Sequence, residues 1–278
     1  MPYVKRSAGP TLHYVVDDYT DPWKNAPYLV LQHGNGRSAQ FWYSWVPYLS
    51  RFYKVVRPDV RGLGLSSTDF DLATDFTLEA CVEDALAIID DLDAASVHFC
   101  GESMGGMIGM GLAASHPARV RTLTLVSTPI TINERGKVTF AEKKPGEDQD
   151  SGVDAWLEAS NRNMRFPPDA DPGLIAWYNA EFKKNNRDVQ AAMGGLANRA
   201  NVAGFLEKIR APVLGLYPTA GPLTTPEQEQ MLVNSIRDLR MVHMPAAYHK
   251  IQLLFPAGCA NHLLRFIAQH DGITCRDG

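Results

Sequence analysis

Short, apolar, β-rich runs alternate along this chain with segments of helical period, and that alternation leaves few folds open. Tyr28-Leu29-Val30-Leu31-Gln32, Lys54-Val55-Val56-Arg57 and Ser96-Val97-His98-Phe99-Cys100 read as strands. So do Thr122-Leu123-Thr124-Leu125-Val126, Val213-Leu214-Gly215-Leu216-Tyr217 and Arg240-Met241-Val242-His243-Met244. Gly, Pro and Asp bound these runs, and their mainly apolar interiors fit strands covered on both faces. Between them, Leu78 to Leu92 and Met104 to His116 carry apolar residues three and four apart, and a similar segment, Cys259 to Gln269, ends the fold. The order predicts an α/β fold, a mostly parallel sheet with helices on both faces.

One stretch breaks the rhythm. From Ile130 to about Ile209 no strand pattern appears. Lys143 to Ser151 is polar, holds Pro145 and Gly146, and reads as a loop. Helical patterns follow over Val153–Met164, Pro172–Lys184 and Asp188–Ala200. A helical insertion between sheet strands reads as a lid, so the expected organisation is a core of residues 1–129 and 210–278 with a helical lid over 130–209. A chain of 278 residues suits such a domain and can bury its core without staples.

Charge and cysteine usage narrow the function. A net charge of −4 argues against a nucleic-acid partner. The four cysteines, Cys81, Cys100, Cys259 and Cys275, are scattered, so neither a disulfide nor a metal site is expected. The N-terminal residues lack the apolar stretch of about 7–15 residues that a secretory signal needs. No run approaches the roughly 18 apolar residues of a membrane span. The expectation is a cytoplasmic protein that does not engage a membrane; homo-oligomerisation stays open.

The chemistry centres on Gly101-Glu102-Ser103-Met104-Gly105-Gly106, which follows one strand and opens a helix. In G-x-S-x-G at such a turn, strained backbone geometry lifts the serine hydroxyl clear of the sheet beside free helix N–H groups. Ser103 is therefore the expected nucleophile. His33-Gly34-Asn35-Gly36 follows an earlier strand and supplies the second half of an oxyanion hole. The expected donors are the N–H groups of Met104 and Asn35, with His33 orienting that turn. Arg57-Pro58-Asp59-Val60-Arg61-Gly62 is read as architecture, with Asp59 and Arg61 making local hydrogen bonds.

A base for Ser103 belongs on a loop at the carboxyl edge of the sheet. Pro245-Ala246-Ala247-Tyr248-His249 lies after the last strand and before the final helix, so His249 is the expected base. His13, His98, His116, His243, His262 and His270 sit within or beside predicted elements and read as structural.

With these motifs the sequence resembles the α/β-hydrolase superfamily over Tyr28 to Phe266, loosely only in the lid, of the sort that includes 3-oxoadipate enol-lactonases, carboxylesterases and C–C hydrolases. The resemblance implies an eight-stranded sheet, no cofactor, and a Ser–acid–His triad in that chain order. The acid usually follows the strand that here ends at Tyr217, but the loop reads Pro218-Thr219-Ala220-Gly221-Pro222-Leu223-Thr224, with Gly221 at or near the expected position. Zearalenone-type lactonases carry a Glu after the preceding strand. Here Glu134 is the nearest downstream carboxylate and is taken as the acid, ahead of Glu227 and of a Ser–His dyad. Glu102 is read as structural, turned behind the elbow into a buried network.

The expected reaction is cleavage of a carboxylic ester or lactone through an acyl-enzyme on Ser103. The expected partner is a small-molecule ester or lactone. Lid residues Trp156, Met164, Phe166, Leu174, Trp177, Tyr178, Phe182 and Met193 suggest a roomy apolar pocket for a medium-sized or aromatic substrate, with a macrocyclic lactone such as zearalenone as one candidate. Phe41-Trp42-Tyr43-Ser44-Trp45 reads mostly as packing, and Arg162 and Arg165 as solvated. A C–C hydrolase, a cofactor-free dioxygenase and a small-molecule receptor are the alternatives on this fold. Lys250 replaces the aromatic residue that C–C hydrolases usually carry after the histidine.

Overall fold

The apolar runs pair into a single eight-stranded sheet in the order β1-β2-β4-β3-β5-β6-β7-β8. The strands are β1 (Tyr3–Val4), β2 (Leu12–Asp17), β3 (Tyr28–Gln32), β4 (Lys54–Pro58), β5 (Val97–Glu102), β6 (Val120–Val126), β7 (Val213–Pro218) and β8 (Leu239–Met244). From β4 to β8 every neighbouring pair is parallel; β1 and β2 add antiparallel pairings at one edge. The computed structural model describes residues 2–6, 9–138 and 151–275.

Side chains alternate across the pleat, and each face has its own core. Val30, Val56 and Phe99 pack with the helices Leu78–Asp91 and Met104–Ser115. Leu29, Leu31, Val55 and Cys100 pack with Leu263 and Ile267 of the helix Pro256–Asp271. Every residue of β5 is buried. This two-sided burial is why the runs lack polar alternation. Local signals set the helix ends. Thr77 caps the first helix by accepting from Ala80 N, and Gly272 ends the last at φ 66°.

Between β6 and β7 the chain forms helices Ser151–Ser160, Pro172–Lys183 and Arg187–Arg199, close to the expected positions. A bridge between Thr131 and Asn201 and a Val202 N–H bond to Ile130 O join the two ends of this segment. The first helix does not run on to Met164 as one α-helix. It changes to a π turn over Asn161–Arg165, closed by Phe166 N–H on Asn161 O. The polar loop expected at Lys143–Ser151 lies, up to residue 150, outside the described residues. Among the described residues no helix is long and apolar enough to cross a membrane.

Candidate active site

Ser103 ends the buried strand β5 and begins the helix Met104–Ser115 with φ 53° and ψ −117°. A non-glycine residue held at positive φ is strained, and here the neighbours enforce it. Ser103 N–H donates to Val126 O at 3.0 Å, and Ser103 O accepts from Gly106 N at 2.9 Å. Two glycines make the turn possible by close approach. A Cβ on Gly105 would run into the Gln32 and His33 carbonyl oxygens, and one on Gly34 into the Glu102 carboxylate. Gly105→Ala is therefore expected to lower unfolding stability by about 2 kcal/mol or more in denaturant titration, since backbone atoms must give way.

The oxyanion turn is braced from behind. His33 is fully buried; its Nδ1–H donates to Gly34 O at 2.8 Å and its Nε2 accepts from Val60 N at 3.0 Å. Burial depresses its pKa, so the ring stays neutral, as this bonding requires. Asn35 and Met104 line the same cavity as Ser103. Asp59 lies elsewhere and is architectural, accepting from Ala39 N, Leu65 N and His13 Nδ1. Arg61 forks onto Asp84.

His249 also lines this cavity. Among the described residues no hydrogen bond joins it to Ser103, and such bonds can form only once a substrate is bound. Its Nε2 lies 3.2 Å from Glu102 Oε1, and that same oxygen accepts from Lys250 Nζ at 2.7 Å. All three side chains are buried: Glu102 is 0% exposed, His249 4% and Lys250 4%. Burial alone would raise the Glu102 pKa; Lys250 and His249 more than reverse this and hold the group well below the usual carboxylate range. Burial, with Lys250 beside it, pushes His249 down to about 4 against the pull of Glu102. The imidazole is therefore neutral at neutral pH, with a nitrogen free to accept a proton.

Glu134 is not brought to the histidine. Its side chain is 86% exposed and pairs with Lys137, because the short helix it opens turns outward. Glu227 is likewise exposed, in the first turn of the helix Pro226–Ser235. Glu102 does join a buried network, as expected, but this network faces the site. One sequence signal was available: a carboxylate closing a strand that is apolar but for His98 needs a partner once the strand is buried.

The helical segment roofs the cavity with Met164, Arg165 and Tyr178. His249 N–H donates to Met164 O at 2.9 Å and Lys250 N–H to Arg165 O at 3.3 Å, tying the His249 loop to the π turn. Arg162 is exposed and pairs with Glu158, but Arg165, expected in solvent, is buried. The π turn accounts for the difference by rotating residue 165 inward. The cavity is narrow, about 40 Å³, far below the roughly 300–1,000 Å³ of drug-sized ligand sites. Among the described residues no roomy pocket forms at Ser103: Phe166 and Tyr178 pack with Phe41 and Leu253, and Phe182 with Val153 and Leu157. Phe41, Trp42 and Trp45 are core residues.

A family model described as the alpha/beta hydrolase fold matches residues 27–256. The chain belongs to this family. Among relatives of this hydrolase, 3-oxoadipate enol-lactonase 1 of Acinetobacter baylyi is 35% identical over 218 residues, 73% of this chain and 74% of that one. A protein of Agrobacterium fabrum named a carbamate hydrolase is 24% identical over 280 residues, 94% of this chain and 99% of that one. The crystal structure of the enol-lactonase from Burkholderia xenovorans superposes with a TM-score of 0.82 at 26% identity, covering 96% of this chain and 100% of that one.

Proposed function

We propose that this α/β hydrolase cleaves a carboxylic ester or lactone through an acyl-enzyme on Ser103, with His249 as base and Glu102 as the carboxylate that orients it. The observation that carries this reading is a single buried cavity lined by Ser103, His249, Asn35 and Met104, with Glu102 touching His249. The likeness to enol-lactonases supports an oxygen ester as the scissile group.

Each role follows from chemistry. Glu102 sits against Nε2 and favours a proton there, leaving Nδ1 to take the Ser103 proton. The serine oxygen attacks the carbonyl, and the N–H groups of Met104 and Asn35 hold the oxyanion. Met104 occupies the first helical turn, where N–H groups lack intrahelical acceptors. Protonated His249 then gives its proton to the leaving alkoxide, and water releases the acyl group by the same steps in reverse order. The narrow cavity favours a compact acyl group over a macrocyclic lactone. The segment over 130–209 acts as the cap that excludes water.

The test is a panel of p-nitrophenyl esters and small lactones with a Ser103→Ala control, combined with organophosphonate labelling read by peptide mass spectrometry. Turnover in the wild type, none in the variant, and a phosphonyl adduct on Ser103 alone are expected. Equal turnover by the variant would defeat the reading. A second expectation concerns pH. With His249 held to about 4, kcat/KM should stay level down to about pH 5 and fall below that through the histidine's pKa. Lys250→Met should move this limb upward, because the ammonium disfavours the imidazolium. A limb at the ordinary histidine value in the wild type would show that burial and Lys250 do not depress this base.

A further inference from the structure

Positive charge around the cavity is out of balance. Arg37, Arg165 and Lys250 are buried, at 1%, 7% and 4% exposure, and Glu102 is the carboxylate buried among them. Lys250 takes that carboxylate. Among the described residues, neither Arg165 nor Arg37 forms an ion pair with any acid. Arg165 Nη1 is held by Ser160 Oγ at 2.5 Å, with Asn161 Oδ1 at 3.4 Å, and its guanidinium covers Trp156. Arg37 donates to Tyr178 O at 2.7 Å and stacks on the Tyr178 ring at 3.4 Å, while its Nε and Nη2 have no acceptor.

Tyr178 stands at the centre of this group. Its ring faces Arg37, Arg165 and Lys250, its hydroxyl is buried without a hydrogen-bond partner, and it lines the cavity with Ser103 and Arg165. Burial opposes ionisation of this phenol, but the Arg165, Arg37 and Lys250 charges outweigh it and bring the pKa below its ordinary value. Burial also brings Arg37 down to about 10. A buried cation without a counter-charge is costly, and a buried hydroxyl without a partner adds to that cost. Both deficits are met by an anion entering between them.

We infer that the substrate carries a carboxylate, seated against the Arg165 guanidinium and the Tyr178 hydroxyl while its ester or lactone carbonyl meets Ser103. This rests on the ester or lactone reading above and specifies its substrate class. Arg165 is the direct contact; Arg37 and Lys250 supply field. The π turn Asn161–Arg165 is the local device that aims the guanidinium inward, as such turns often do at functional sites.

The experiment compares mono-p-nitrophenyl glutarate with p-nitrophenyl butyrate, and 3-carboxyphenyl butyrate with phenyl butyrate, so that the carboxylate is offered on either side of the scissile bond. One member of the charged set should exceed its neutral partner in kcat/KM by about tenfold or more, the worth of a charge-assisted hydrogen bond. Arg165→Gln should erase that preference, chiefly through a raised KM for the charged member of the pair. Binding of glutarate to Ser103→Ala by calorimetry, lost on adding Arg165→Gln, tests the anion site without any turnover. Thus an enzyme inactive on every ester but binding glutarate would defeat the hydrolase reading while the anion site stood. Neutral esters turned over as well as charged ones, with no glutarate binding, would overturn the inference. So would tyrosinate absorbance at neutral pH that is absent in Tyr178→Phe and accompanied by no anion preference, since the phenolate would then answer the cations itself.

Discussion

Replacing Ser103 by alanine is expected to lower kcat by about 10⁴- to 10⁶-fold, the range seen when a serine nucleophile is removed. Stability should hardly change. Alanine keeps the Cβ, so the strain at φ 53° is the same in both proteins. The Ser103 side chain caps no helix N–H, so no cap is lost. Steady-state kinetics on any accepted ester, with urea unfolding of both proteins, checks this. A variant that unfolds at the same urea concentration and retains more than about one part in a hundred of the activity would remove Ser103 from the chemistry.

Glu102→Gln is expected to lower kcat by about 10²- to 10⁴-fold, as loss of the orienting carboxylate does in a triad. This change also leaves Lys250 buried without its anion, which costs about 3–5 kcal/mol when one partner of a buried pair is removed. A companion variant separates the effects. Glu102→Gln with Lys250→Met removes both charges and should recover most of the stability, yet kcat should stay low. Glu134→Gln should leave kcat within about twofold, since that carboxylate is exposed and paired with Lys137. The reverse ranking, with Glu134 required and Glu102 dispensable, would restore the downstream acid.

Much of this was legible along the chain because period and context carry it. The parallel strands announced themselves as apolar runs, and the strand-end places of Ser103 and His249, which the fold brings to one cavity, followed from them. Strands β1 and β2 escaped because two residues make no pattern and because Leu12–Asp17 mixes His13 and Asp17 into a half-exposed edge. The partner of His249 escaped for another reason. Chain order points downstream to Glu134, but Glu102 reaches the imidazole across the sheet edge from beside the nucleophile, 147 positions earlier than the histidine. That proximity is a property of the closed fold, and spacing does not encode it. Arg165 was misjudged because a regular helix would have carried it outward; the π turn adds the rotation that no periodic template contains. Lys250, in Tyr248-His249-Lys250-Ile251, gave a faint sign, a lone cation entering an apolar segment.

The backbone bonds from His249 to Met164 and from Lys250 to Arg165 have a mechanical consequence. Those two hydrogen bonds join the loop that carries His249 to the roof over Ser103. Lifting the roof either breaks them or drags the imidazole along. On the proposed mechanism, admission of a substrate and placement of the base beside Ser103 would therefore be coupled.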